Sequence, residues 1–149
     1  MGKILVDNEW YEPVSSRSIL ESEYEQSIFR YSKSLFSGYV CLKFNEMVES
    51  SFGSSQADMV LVDMEYRGWT IVEAELEHHS LTRHVEPQMR RLVNGVYNDR
   101  HASAIARASQ MIDPDRIRNL VRNTDPEFLV IVPTETLEWR TTLSNLGVK

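Results

Sequence analysis

Residues 71–77 read IVEAELE, and from Val72 onward apolar and acidic residues alternate. Side chains of a β-strand point alternately to the two faces of the sheet, so this pattern predicts one core face and one acidic face. The acidic face carries Glu73, Glu75 and Glu77, with neighbouring side chains roughly 6.5 to 7 Å apart. Like charges in a row repel, and a divalent cation offsets that repulsion. The alternative is an exposed acidic face that only contributes solubility.

A second strand precedes this one. Residues 57–64 and 70–76 are two apolar-rich runs separated by a short turn sequence that contains Gly68, which is typical of a β-hairpin. Asp58 opens the first run, and strand pairing brings it within reach of Glu73. Two carboxylates placed in this way can share a metal ion that activates water and neutralises a phosphate. The hairpin therefore favours a metal-binding site over an exposed acidic face whose only role is solubility.

The rest of the chain predicts an α/β domain with a mixed central sheet flanked by helices. Residues 50–56, rich in serine, are expected to form a loop. Pro87 indicates that the helix after the acidic strand begins properly near Glu86. The periodicity predicts helices over residues 18–36, 81–98, 102–111, 114–122 and 136–146, and strands over residues 39–44 and 128–132.

Length and composition fit one globular domain. The chain has 149 residues, and we expect a single domain over residues 1–149 with residues 1–17 as a lead-in, either alone or as a module of a longer protein. No apolar run approaches the roughly 20 residues that cross a bilayer, so no membrane partner is expected. The single cysteine, Cys41, forms neither an internal disulfide nor a cysteine-type zinc site by itself. A cytoplasmic location is the expectation.

Charge is unevenly distributed along the chain. The net charge is −6, which argues against nucleic acid as a partner, but residues 80–122 contain eight arginines against four acidic residues. An acidic half beside an arginine-rich half suits a site where metals neutralise carboxylates and guanidinium groups hold phosphates. An ordinary solvated helix surface is the alternative, and it is preferred for Arg116, Arg118 and Arg122.

Together these elements resemble the PD-(D/E)xK nuclease superfamily, with its restriction-endonuclease-like α-β-β-β-α-β core. The resemblance covers residues 18–132, and the defence nucleases called Shedu are the nearest analogues. The matching positions are a first-helix acid (Glu21 or Glu25), Ala57-Asp58, Glu73-Ala74-Glu75 and Gln88.

The resemblance implies an Mg²⁺- or Mn²⁺-dependent endonuclease that acts on nucleic acid, DNA in preference to RNA, in defence or restriction. Asp58 and Glu73 would bind the metal, and Gln88 would orient the acidic groups or the substrate. The short chain suggests a homodimer or further domains.

Two positions leave alternatives open. Glu75 stands where the superfamily usually has the lysine that positions or deprotonates the attacking water, although some restriction endonucleases with this fold carry glutamate there. Glu75 is therefore expected to act in catalysis and metal binding, with Lys43 as a conceivable migrated lysine. A catalytically inactive module that binds nucleic acid or a protein partner is the alternative function. Glu21 is expected as a metal ligand and Glu25 as the catalytic acid of the first helix, with Glu25 slightly preferred because it lies deeper in that helix.

A histidine-rich turn follows the acidic strand. His78, His79 and His84 fall within seven residues and invite a zinc interpretation, but His79 and His84 lack the i, i+4 spacing of a helical pair and no cysteine lies near them. We favour a turn that borders the active site, where His78, His79, Arg83 or His84 contacts phosphate or a proton in transfer. Substrate phosphate is expected to be bound by His79, Arg83 and His84, and by Arg91 on the following helix. A polar loop with chance histidines is the alternative.

Overall fold

The computed structural model describes residues 4–6, 9–11, 19–76 and 78–149, with backbone only for the first two segments. The strands are β1 (Ile4–Val6), β2 (Glu9–Tyr11), β3 (Tyr39–Lys43), β4 (Met47–Ser50), β5 (Gly53–Gln56), β6 (Met59–Asp63), β7 (Trp69–Ala74), β8 (Gly95–Val96) and β9 (Glu127–Ile131). The helices are α1 (Glu21–Arg30), α2 (Ser32–Leu35), α3 (Glu86–Val93), α4 (Asp99–Ala108), α5 (Pro114–Asn123) and α6 (Leu137–Asn145). A single π-helical turn, Leu81–Val85, precedes α3 and is called the π-turn below.

The central sheet has the strand order β3-β6-β7-β9 and is mixed. Strands β3, β6 and β7 form an antiparallel meander, and β9 returns parallel to β7. The predicted hairpin, the predicted strand near residues 128–132 and the mixed α/β class are thereby confirmed. A smaller sheet has the order β5-β4-β8, and β1 pairs with β2 within the predicted lead-in.

Both faces of the central sheet are buried. On one face Met59, Leu61, Val72 and Ala74 pack against Ile28 of α1. On the opposite face the alternate residues of β6 and β7 pack against α3, and these include Val60, Val62, Trp69, Ile71, Met89 and Leu92. Because side chains alternate along β7, Glu73 lies on the α3 face. The acidic residues of this strand therefore lie between packed layers and not on an open surface.

Four predicted elements have the wrong bounds or type, and one of them is the helix expected over 102–111, which is α4 and runs from Asp99 to Ala108. The serine-rich residues 50–56, expected as a loop, form most of the β4–β5 hairpin, because Gly53 adopts φ +102° at its turn and Ser50 Oγ donates to the Gly53 carbonyl (2.7 Å). The helix expected over 18–36 divides into α1 and α2. The helix expected over 81–98 is shorter: the π-turn occupies its first residues, and α3 ends at Val93. The start of α3 at Glu86 agrees with the prediction from Pro87.

Gly95 explains why α3 stops early. The chain leaves the helix and pairs with β4, where a Cβ atom on Gly95 would lie 2.3 Å from Val48 Cγ1. Only glycine permits this close approach. None of the described helices has the length and apolar character needed to cross a bilayer.

Candidate active site

Asp58 immediately precedes β6, and the strand register decides where it lies. Met59 pairs with Val72, so one step further along the ladder Asp58 stands opposite Glu73. The Ala74 backbone N–H donates to Asp58 Oδ2 at 2.8 Å, which fixes this carboxyl beside the end of β7. The pairing predicted from the sequence thus brings Asp58 and Glu73 together.

Glu73 is buried, with 2% of its surface exposed. Its Oε2 accepts a hydrogen bond from Gln88 Nε2 (2.8 Å), whereas its Oε1 has no hydrogen-bond partner among the described residues. The Asp58 carboxyl lies close enough to the Glu73 carboxyl for its charge to raise the pKa of Glu73. A buried carboxylate oxygen without a donor is costly, and either protonation of the carboxyl or a nearby cation would offset that cost.

The pKa values of the pair reflect this crowding. Burial raises the pKa of Asp58 to about 6, with the Ala74 N–H opposing the rise and the carboxylates of Glu25, Glu75 and Glu21 adding to it. Burial also raises the pKa of Glu73 well above its usual range, and the nearby Asp58 and Glu75 charges raise it further. Two coupled carboxyls of this kind hold a shared proton or a divalent cation near neutral pH.

Glu75 has different surroundings although it is equally buried, at 1% exposed. His79 Nδ1 donates to Glu75 Oε2 at 2.8 Å, and the other ring nitrogen of His79 lies 3.6 Å from Glu21 Oε2. Burial raises the pKa of Glu75, and the hydrogen bond from His79 opposes that rise. An imidazole therefore stands beside the position where the resemblance leads one to expect a lysine. Glu77 lies outside the described residues.

Helix α1 places both candidate acids over this cluster. Glu25 raises the pKa of Asp58 more than Glu21 does, and it ion-pairs with Lys43, whose Nζ lies 3.8 Å from Glu25 Oε1. Glu21 instead faces His79. The first helix thus supplies one carboxylate to each half of the site, and Lys43, with 47% of its side chain exposed, lies at the rim.

Helix α3 holds the predicted amide and one predicted phosphate-binding group. Gln88 Nε2 bonds Glu73 and also approaches the carbonyl of Gln56 at 3.4 Å, which ties α3 to β5. Arg91 lies one helical turn further on, and its Nε donates to the Phe52 carbonyl at 3.3 Å. Arg91 is therefore held at the β4–β5 turn, about 5 Å along the helix axis from Gln88.

Two of the other predicted phosphate-binding groups, Arg83 and His84, lie on the π-turn and are exposed. The third, His79, precedes the π-turn and is half-buried against Glu75. The arginines of α5 are occupied elsewhere: Arg116 donates to the Glu65 carbonyl, Arg118 pairs with Asp115, and Arg122 pairs with Asp99. This agrees with their predicted place on a helix surface.

Tyr97 was not predicted as part of the site. Burial raises its pKa and the charge of Glu73 adds to that rise, so the phenol lies within electrostatic reach of the carboxylate pair. Its hydroxyl donates to the Leu92 carbonyl at 2.9 Å, and its ring packs edge-on against Trp69. No sequence signal identifies it, because the chain leaves α3 and returns through β8 before reaching this residue.

Comparison of the chain with protein-family models, with curated proteins and with solved structures found no match. What the site can do follows from its donors. One half offers carboxylate and amide groups around Asp58 and Glu73, and the other offers a carboxylate and imidazoles around Glu75. Oxygen donors suit hard cations such as Mg²⁺, while imidazole groups move protons or bind softer metal ions.

Proposed function

We propose that this protein is an Mg²⁺- or Mn²⁺-dependent phosphodiesterase that cleaves nucleic acid, DNA in preference to RNA, as the PD-(D/E)xK nucleases do. The observation that carries the proposal is Glu73 Oε1, a buried carboxylate oxygen without a hydrogen-bond partner among the described residues, beside the Asp58 carboxyl. A divalent cation satisfies both groups at once. A role in defence or restriction is proposed from the same resemblance.

The order of elements supports this assignment. Helix α1, the meander β3-β6-β7, helix α3 and the parallel strand β9 follow one another as in the α-β-β-β-α-β core of restriction endonucleases. Asp58 precedes the second strand of this core, and Glu73 lies on the third. Fold likeness alone is weak support for function, so the site has to carry the argument.

The donors fit a hard divalent cation. Asp58 and Glu73 would hold it, with the carboxylates of Glu75 and Glu21 nearby adding negative charge. When bound, such an ion neutralises the scissile phosphate and lowers the pKa of water. Oxygen donors on rigid strands are what Mg²⁺ and Mn²⁺ prefer.

The protein's own groups would orient the reaction. Gln88 fixes the Glu73 carboxylate through Oε2, and the Ala74 N–H fixes Asp58 through Oδ2. Glu75 would accept a proton from the attacking water, because burial raises its pKa and so makes its carboxylate a stronger base. Arg83 and Arg91, on the π-turn and α3, would hold flanking phosphates.

A second candidate function is a catalytically inactive module that binds nucleic acid or a protein partner. The observation that favours it is that Glu75 is held by His79 while Lys43 pairs with Glu25, so neither lysine nor a free carboxylate stands ready at the superfamily's lysine position. The net charge of −6 also favours a binding role that does not depend on long-range electrostatic attraction to the nucleic-acid backbone.

Cleavage of supercoiled plasmid in the presence of Mg²⁺ or Mn²⁺ separates the two candidates. We expect nicking by the wild type and a loss of at least about 100-fold in Glu73→Gln and Asp58→Asn, since each removes a metal-binding carboxylate. Glu49→Gln, which changes an exposed glutamate on β4, is the matched control and should cleave normally. A wild type that cuts neither DNA nor RNA with either metal would favour the inactive module.

A further inference from the structure

Glu75, His79 and His84 form a cluster outside the Asp58–Glu73 pair. Each offers one donor atom, and these atoms all lie within 4.8 Å of one another. The rings of His79 and His84 are 5.8 Å apart and nearly perpendicular, at 86°. A carboxylate and two imidazoles therefore converge on one small volume.

The π-turn brings the two histidines together. The backbone N–H groups of His84 and Val85 both donate to the Ser80 carbonyl, at 2.9 and 3.3 Å, so the chain closes a wider loop than an α-helical turn. His79 lies just before the π-turn and is joined to it by Ser80, whose backbone is extended (φ −69°, ψ 110°), so the spacing rule for two histidines on an α-helix does not apply to His79 and His84. Single π-helical turns are uncommon and occur frequently at functional sites.

The surroundings of His79 match those of a metal-binding histidine. With Nδ1 toward Glu75, its Nε2 faces Glu21 Oε2 at 3.6 Å. A histidine that binds a metal through one ring nitrogen usually presents the other N–H to a carboxylate, which sets the tautomer and raises the basicity of the ligand. The carboxylates of Glu75 and Glu21 also supply the negative charge that a divalent ion needs in a partly buried position.

The donor set selects the kind of metal. Imidazole suits zinc, copper, iron, cobalt and nickel, whereas Mg²⁺ takes oxygen ligands almost alone. Donor atoms near 2.1 Å from one ion lie about 3 to 3.5 Å apart. The Glu75–His79 distance of 2.8 Å is slightly shorter, and a rotation of the exposed His84 side chain would close the remaining gap.

We propose that Glu75, His79 and His84 bind one first-row transition-metal ion of the zinc class, at a site separate from the carboxylate pair. Binding through Nδ1 requires this nitrogen to be unprotonated, so the metal-bound ring is neutral with its single proton at Nε2 toward Glu21, and any second ring proton is released to water. The proposal goes beyond the nuclease function and does not depend on it. If the protein is a nuclease, an ion bound here places a positive charge where the superfamily has lysine. Glu75 then accepts a proton only in the protein without this ion, because the bound ion occupies its carboxylate.

Titration of the full chain with Co²⁺, followed by visible absorption, tests the proposal, with Zn²⁺ calorimetry in parallel. We expect one ion per chain and a loss of affinity of about 10-fold or more in His84→Ala. His78→Ala is the matched control, because His78 is an exposed neighbour whose ring lies 4.8 Å from that of His79 but which is not part of the cluster. Circular dichroism establishes that the variants are folded.

The outcomes distinguish a metal site from a structural hydrogen bond. If His79 only satisfies Glu75, His84→Ala binds Co²⁺ like the wild type, and the proposal is overturned. It is also overturned if the wild type binds no Co²⁺, or if His78→Ala loses as much affinity as His84→Ala. Glu73→Gln should keep the Co²⁺ spectrum even where cleavage is lost, so failure of the nuclease proposal leaves this one testable.

Discussion

Glu73 and Glu75 lie two residues apart in one stretch of chain and are equally buried, yet they have different partners. Glu73 meets an amide, Gln88, and a second carboxyl, Asp58, and keeps one oxygen without a donor among the described residues. Glu75 meets an imidazole, His79, which is itself next to another carboxylate. Burial raises the pKa of both groups, but only Glu73 has a fully buried oxygen without a hydrogen-bond partner among the described residues. The partner, more than the burial, decides what each carboxylate can bind.

Neutralising each glutamate in turn should change stability in opposite directions. Glutamine is neutral without taking up a proton on folding and can donate an N–H to Asp58, so we expect metal-free Glu73→Gln to gain about 1 to 3 kcal/mol in free energy of unfolding. Glu75→Gln weakens a charge-assisted hydrogen bond to His79 and should lose about 1 kcal/mol or more. Urea unfolding near neutral pH measures both. A destabilised Glu73→Gln would mean that Glu73 is already well satisfied.

The same crowding predicts a pH dependence. The folded pKa of Asp58, about 6, lies above its ordinary value of 3.8. Protonated Asp58 therefore stabilises the folded protein fully below the ordinary pKa of 3.8, and this stabilisation is lost as the pH rises through the folded pKa of about 6. The loss is on the order of 1 to 2 kcal/mol, allowing for partial exposure.

Thermal unfolding of the wild type and Asp58→Asn, without metal and across this pH range, isolates that contribution. The wild type should lose stability relative to the variant as the pH rises from about 4 to about 7. Adding Mn²⁺ should restore it above about pH 6 and have little effect near pH 4, because protons and metal compete for the same oxygens. A constant difference between the two proteins would contradict the raised pKa.

Gln88 should act as a positioning residue for Glu73. Gln88→Leu removes the donor to Oε2, and Mn²⁺ affinity should fall about 10-fold while the Co²⁺ site around Glu75 stays intact. Gln26→Leu, an exposed position on α1, is the control for the loss of an amide. If Gln88→Leu lowered the affinities for Mn²⁺ and Co²⁺ equally, the substitution would have caused a general structural defect.

Substitution of Arg91 should have the smallest effect of the changes considered, and it should act on DNA binding. Arg91→Ala removes a guanidinium held at the β4–β5 turn. If Arg91 contacts phosphate, affinity for DNA should fall a few-fold, and the slope of log affinity against log salt should decrease by about 1. Arg118→Ala, on α5 and paired with Asp115, should leave both quantities unchanged. An unaltered salt slope in Arg91→Ala would remove it from the proposed interface.

The contrast also shows what the sequence can and cannot predict. Alternation along β7 and the hairpin turn were enough to place Asp58 opposite Glu73, and Pro87 located the start of α3, because both depend on local periodicity or on a fixed φ. Burial of the acidic residues was not predictable, since it depends on α3 covering the sheet face. The pairing of His79 with His84 was missed because spacing rules assume α or β periods, and the π-turn follows neither.

Binding of Mn²⁺ to the metal-free protein, followed by the electron paramagnetic resonance of free Mn²⁺, tests the carboxylate pair most directly. The wild type and His84→Ala should bind one Mn²⁺ ion with similar affinity. In Glu73→Gln and Asp58→Asn the affinity for this ion should be lower by about 100-fold. A metal site formed by Asp58 and Glu73 would be contradicted if the wild type binds no Mn²⁺, or if Glu73→Gln binds it as tightly as the wild type does.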